Sequence, residues 1–177
     1  MRRYYTLAIS LFLASCLSES NVDPGSSSTF IRYYNGGNND EAKALELTPE
    51  GGYVIVATTR IQKAETEPVQ FQIKFIKTDA MGNPETPRFF PADFTDKTRN
   101  FTASNVHRVP TGGYIITGDD IQSNGTAKSL LIFVDANGDN AQQDSFDYGR
   151  GKAASVTGSG SFLMLTIQAT LTDTTMY

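Results

Sequence analysis

Cys16 is the only cysteine of this 177-residue chain, and His107 is its only histidine. A zinc site draws several ligands from these two residue types. A Cys/His catalytic pair needs both within hydrogen-bond reach. With no second copy of either, the sequence argues against both chemistries. His107 sits beside Arg108 in the alternating stretch Ala103–Val109 and reads as a solvent-facing or packing residue. No Gly-x-Ser-x-Gly elbow for a hydrolase nucleophile occurs. Gly158-Ser159-Gly160 is too short for a phosphate loop, lacks its lysine, and reads as a hairpin turn. Asp135, Asn137 and Asp139 offer oxygens in alternate places, as the start of a calcium loop does. Gly138 comes too early for that loop and its closing glutamate is missing, although Gln143 and Asp144 lie nearby. The matching turn Asp79-Ala80-Met81-Gly82-Asn83 has lost the middle ligand. Asn137-Gly138 is also a strong hairpin signal. The turn is favoured, with calcium as the alternative. Asp119-Asp120 is a neighbouring carboxylate pair, but acid/base work needs two carboxylates at a controlled separation. This pair reads as a solvated loop following a strand. No catalytic residue, metal or cofactor is expected.

The chemistry that Cys16 does suggest comes from what precedes it. Arg2 and Arg3 supply a positive start, and Leu7–Leu13 supply an apolar run. That run is far too short for a bilayer span of about 20 residues, and it fits the apolar region of a secretory signal. Small residues Ala14 and Ser15 then lead directly to Cys16. Leu13-Ala14-Ser15-Cys16 resembles the lipobox of bacterial lipoprotein signals at every position. The resemblance implies removal of residues 1–15, diacylglycerol on the Cys16 sulfur and acylation (palmitate, for example) of its new amino group. Stable anchoring takes more than one acyl chain, and this arrangement would supply it. The alternative is an ordinary secretory signal with an incidental cysteine. Residues 16–29 contain Pro24-Gly25 and Ser26-Ser27-Ser28, with little that can pack. They read as a flexible tether. Leu17 stands where an aspartate would resemble an inner-membrane retention signal. The expected address is therefore the outer membrane of a Gram-negative envelope, facing the periplasm or the surface, with the membrane as partner through the lipid.

The chain's formal net charge is −4, and the signal holds two of its 15 basic residues and none of its 19 acidic ones. The remainder is thus more acidic than the whole. Phosphate binding needs a basic face, so nucleic acid is not an expected partner. Nor is electrostatic attachment to a membrane. No helix of convincing period occurs. The best candidate, Asp40–Leu47, is short enough to favour a strand.

The elements that must position any site repeat along the chain. Gly51-Gly52-Tyr53-Val54-Ile55-Val56 returns as Gly112-Gly113-Tyr114-Ile115-Ile116-Thr117, each after a proline and one polar residue. Phe71–Gly82 matches Ser129–Gly138. A third landmark is an aromatic strand, at Phe30–Tyr34, Arg88–Phe90 and Ser145–Tyr148. Long regular periods of β units signal a propeller or an array. The spacing predicts strands at Ala42–Leu47, Tyr53–Ala57, Gln70–Lys77 and Arg88–Phe90, with a polar loop over Thr58–Pro68. It predicts a second set at Ala103–Val109, Tyr114–Thr117, Ser129–Val134 and Ser145–Tyr148. A third set begins at Ala153–Val156 and Phe162–Leu165, and its next strand would start at Thr174–Tyr177.

The Gly-Gly-Tyr strands and the Lys77–Asn83 and Val134–Asp139 turns resemble β-propeller-like repeats of secreted and lipid-anchored Gram-negative proteins. Those repeats read DGGYIIAG followed by KLDxxGN. The resemblance implies an all-β chain of antiparallel four-stranded blades, an incomplete propeller of about two and a half blades. The blades fall at about 30–90, 91–148 and 149–177. A small β-sandwich with two similar halves is the alternative. Because the third set stops part-way, residues 1–177 are expected to be the front of a longer protein or a truncated product. The expected function is a non-catalytic binding or scaffold module with an unidentified protein or glycan ligand. Two alternatives remain open. One is a fragment of a propeller enzyme acting on polysaccharide; the other is a truncated product with no role of its own.

Overall fold

The computed structural model describes residues 31–34, 36–62, 64–92, 99–157 and 161–167. Among these residues there are ten strands and no helix. They form three antiparallel sheets, each in chain order. The first sheet holds β1 (Asn39–Leu47), β2 (Tyr53–Ile61), β3 (Gln70–Thr78) and β4 (Arg88–Phe90). The second holds β5 (Arg99–Arg108), β6 (Tyr114–Gln122), β7 (Ala127–Val134) and β8 (Gln142–Phe146). The third holds β9 (Arg150–Val156) and β10 (Phe162–Ile167). The chain is therefore all-β and built of antiparallel four-stranded units, as its repeats predict. The described sheets do not close into a ring.

The sheets stack in sequence. β5 packs across β1, β2 and β3, and β9 packs across β5, β6 and β7. Side chains alternate between the two faces of a strand, so the second sheet feeds two cores. Ile116 and Ile132 join Phe101 and Val106 against Val54, Val56, Ile73 and Phe75 of the first sheet. Ile115 and Leu131 point the other way, onto Ala154, Val156 and Met164 of the third. The continuous apolar runs of β6 and β7 follow from this double burial. A two-sheet sandwich has no such middle layer. Each large apolar side chain so buried contributes about 1.5–3 kcal/mol.

The repeated Gly-Gly has two separate causes. Gly51 and Gly112 take φ of +84° and +102°, which residues with a Cβ avoid. Their N–H groups close equivalent turns onto Thr48 and Val109 carbonyls at 3.1 and 3.0 Å. The second glycine answers to crowding. A Cβ on Gly52 would stand 2.1 Å from the Thr78 carbonyl oxygen, and one on Gly113 2.2 Å from that of Val134. The turn before β2 or β6 is thus pressed against the far end of the next strand.

Several expectations need correction. Arg32–Tyr34 form no strand. Instead Arg32 Nε and the Tyr34 hydroxyl donate to the carbonyls of Met81 and Gly82, at 3.3 and 3.0 Å, clasping the turn after β3. β2 runs on to Ile61 through the stretch expected as loop, because Asp40 and Lys74 give Thr59 a polar network to join. β8 ends at Phe146, earlier than expected, and Tyr148 stacks on Phe146 from outside the strand. In β3 the polar residues Gln72 and Lys74 are buried, not solvent-facing. Gln72 donates to the Pro91 carbonyl, and Lys74 binds Asp40 at 2.6 Å. Residues 1–30, Gly158–Gly160 and Thr174–Tyr177 lie outside the described residues.

Replacing Gly113 by alanine forces a Cβ onto a backbone oxygen while keeping φ at +84°. The expected cost is about 2–3 kcal/mol, read as a lower denaturant midpoint at unchanged slope. Gly125→Ala, at similar φ with open space around the Cβ, should cost less than half of that.

Candidate functional site

The inner strand of every sheet carries one bulge. The pairing slips between Ala42 and Ala44 in β1, between Ala103 and Asn105 in β5, and around Lys152 in β9. The extra residues are Lys43, Ser104 and Lys152. A bulge bends its strand and re-aims a side chain. All three line one cleft of about 410 Å³, together with Glu41, Asp119 and Arg150. Sequence reasoning missed this site. The signal was present as a side chain between small or short residues at one repeat position: Ala42-Lys43-Ala44, Ala103-Ser104-Asn105 and Gly151-Lys152-Ala153.

The cleft is charged and mostly paired within itself. Lys43 forms an ion pair with Glu41. Arg150 crosses from the third sheet to Asp119 of the second, with Nε at 2.8 Å and Nη2 at 2.6 Å from Oδ2. The Thr102 hydroxyl donates to the same oxygen at 3.4 Å. Asp119 Oδ1 is buried and has no hydrogen-bond partner among the described residues. Lys152 forms no ion pair among them. The arrangement leaves one cation without a counter-ion in a concave polar setting, which suits an anionic group.

Asp119 and Asp120 are not a solvated loop. Both lie within β6 and are 2% and 1% exposed. As neighbours in a strand they face opposite ways. Asp120 turns toward the first sheet's side, where Arg99 grips it with Nε at 3.2 Å from Oδ1 and Nη2 on Oδ2. The Ser145 hydroxyl adds a bond of 2.8 Å, and the Arg99 guanidinium lies 5.0 Å from the Phe101 ring centroid. Two carboxylates on opposite faces, each neutralised by its own arginine, cannot act on one substrate. The loop expectation failed because burial here rests on arginines distant in sequence.

Asp135, Asn137 and Asp139 each have partners that fit a turn. Asp135 Oδ1 accepts from the N–H groups of Asn137 and Asp139, both at 2.9 Å, and its Oδ2 accepts from the Asn140 amide at 2.7 Å. Asp139 binds Arg88 of β4 at 2.5 and 3.1 Å. Asn137 accepts from Lys77 at 3.4 Å. Asp79 repeats the device with Met81, Asn83 and the Asn83 side chain. Among the described residues no cluster of three or more His, Cys, Asp or Glu is placed to hold a metal. These bonds lower three carboxyl pKa values. The Asn83 side-chain amide holds Asp79 below its ordinary value. The Asp139 and Asn137 N–H groups do the same for Asp135, and the Arg88 guanidinium for Asp139. His107 is half-exposed, its Nδ1 3.7 Å from Glu46 Oε2. Cys16 lies outside the described residues.

No protein-family profile, no curated protein and no solved structure matches this chain.

A carboxyl whose folded pKa is depressed adds stability above its unfolded value, about 3.9 for aspartate, and that stability vanishes as pH falls through the folded value. Asp79 and Asp135 therefore support the fold at neutral pH and withdraw support in acid. In a chain carrying Asp79→Asn and Asp135→Asn, the denaturation midpoint should fall less steeply below about pH 4 than in the parent. Equal slopes would show that the two turns do not contribute to acid lability.

Proposed function

We propose that this chain is a lipid-anchored protein of the Gram-negative outer membrane, facing the periplasm or the surface, and a non-catalytic binding module. Its stacked sheets form an open, propeller-like array. The observation that carries the binding reading is the cleft to which each sheet's bulge brings a side chain at one repeat position. Repeat arrays build binding surfaces in this way, by presenting equivalent positions side by side. The unpaired Lys152 and the exposed half of Arg150 favour an acidic group on a glycan or protein ligand. The reading of the chain as a polysaccharide-processing enzyme loses its carboxylate pair, since Asp119 and Asp120 face apart. The anchor reading rests on Leu13-Ala14-Ser15-Cys16, on the absence of a second cysteine for a disulfide, and on the polar stretch that follows.

Two outcomes are expected. The protein made in a Gram-negative host should incorporate labelled palmitate and fractionate with outer membranes, and Cys16→Ser should abolish both. A parent protein that stays unlabelled and soluble would sink the anchor. Fluorescent oligogalacturonate should bind the parent, and Lys152→Ala should weaken it about tenfold, equivalent to roughly 1.4 kcal/mol. A neutral oligosaccharide of the same length should bind weakly to both. Equal binding of the acidic probe by parent and variant would remove Lys152 from the site.

A further inference from the structure

The two sheet-on-sheet interfaces define which repeat positions are meant to be covered. On the face turned to the following sheet, β2 presents Val54, Val56 and Thr58, and β6 presents Ile115, Thr117 and Asp119. None of these six is more than 7% exposed. The same positions in β10, counted from Tyr53, Tyr114 and Phe162, are Leu163, Leu165 and Ile167. They are 74%, 60% and 54% exposed. Phe162 and Met164, on the other face of β10, already pack toward the second sheet. The third sheet therefore turns outward a face of the kind that, twice elsewhere in this chain, holds an inner strand.

The opposite end offers the matching half. On the face turned to the preceding sheet, β5 presents Ala103 and Val106, and β9 presents Gly151 and Ala154. All four are buried. Their equivalents in β1 are Ala42 and Leu45, with Leu47 two residues on, and all three are exposed. One molecule thus displays an uncovered seat at its third sheet and an uncovered inner strand at its first.

We propose that the outward face of the third sheet receives β1 of a second copy of this chain, head to tail. The contact continues the stacking already present between the first and second sheets and between the second and third. It pairs different surfaces on the two copies, so it forms a ring if the rotation closes and a filament if it does not. The occupant is a second copy because Ala42, Leu45 and Leu47 reproduce the small-then-aliphatic order of the strand that already fits such a seat. The proposal does not depend on the lipid or the ligand cleft.

The test uses the full chain carrying Cys16→Ser, so that no lipid is attached and no other thiol is present. Its mass is followed by light scattering up to about 100 μM, where even a weak interface is populated. Association rising with concentration is expected. Leu163→Asp with Leu165→Asp should give monomers, and so should Leu45→Asp with Leu47→Asp, with unchanged circular dichroism because all four side chains are exposed. Mixing these two variants should restore a dimer and nothing larger, since one intact interface remains between them. A parent that is monomeric throughout, association that survives either variant, or a mixture that stays monomeric would each overturn the proposal. Should a charged variant misfold, Leu45→Cys and Leu163→Cys chains with a short bis-maleimide keep the question open to refutation. Cross-linked dimers are expected only when the two are mixed, and their absence counts against the contact.

Discussion

The inner strand of each sheet must cross the sheet before it at near backbone contact, and the other features of the stack follow from that crossing. At the first crossing the Ala103 N–H donates to the Thr58 hydroxyl at 3.0 Å. At the second, a Cβ on Gly151 would lie 2.4 Å from the Gly118 carbonyl oxygen. Only a small residue can occupy the crossing strand at that point, and Ala42, Ala103 and Gly151 hold the equivalent place. The bulge comes immediately after the small residue. It lets the strand bend over the curved neighbour and throws the next side chain sideways into the cleft. The packing device and the candidate binding surface are therefore one feature. A change that straightened the bulge would lose both.

The two interfaces use different polar latches at one repeat position. Thr58 ties the first sheet to the second through a neutral hydroxyl and a backbone amide. Its counterpart Asp119 ties the second to the third through the Arg150 guanidinium. Burying a carboxylate carries a desolvation cost that its partner must offset. Arg150 is half-exposed, so part of the Coulomb attraction is screened. The ionic latch is consequently better suited to fixing the register of β9 than to adding stability. An apolar pair there would hold the layers without saying which residue faces which. The spare Asp119 oxygen shows that this fixing is incomplete on the protein's own resources.

Where the sequence carried strong local signals, the strands follow it. Arg88–Phe90 is a strand at the expected residues, and Tyr53 and Tyr114 open strands after identical turns. Two Gly-Gly pairs and two Asp-x-x-Gly turns punctuate the chain through local bonds, which a sequence can display. The misreadings share a cause. Gly118-Asp119-Asp120 has the composition of a loop, and its strand character depends on Arg150 and Arg99, distant in the chain. Lys74 and Gln72 alternate with apolar residues and so look solvent-facing, yet Asp40 and the Pro91 carbonyl bury them. Strand preference yields to tertiary partners in this way. The cleft escaped notice because no single repeat contains it. It exists only where three bulges meet, and bulges have no strong composition of their own.

The two ends of the stack are not treated alike. In repeat arrays a terminal unit needs an outer face that water tolerates. The first sheet has part of one. Thr59 and Lys74 close on Asp40 at 2.9 and 2.6 Å, and the Arg32 and Tyr34 side chains bind the neighbouring turn. That polar set replaces what would be core in the next sheet, where the equivalent of Asp40 is the buried Phe101. On β10 the third sheet has no such set. Leu163, Leu165 and Ile167 stand in a row on the face where an interior layer would carry its contacts, and Phe162 and Met164 hold that strand in place from behind. Apolar surface gathered on one face of an edge strand tends to find a partner. The direction in which the stack continues is therefore written in the difference between its ends: partly capped at the first sheet, uncovered at the third.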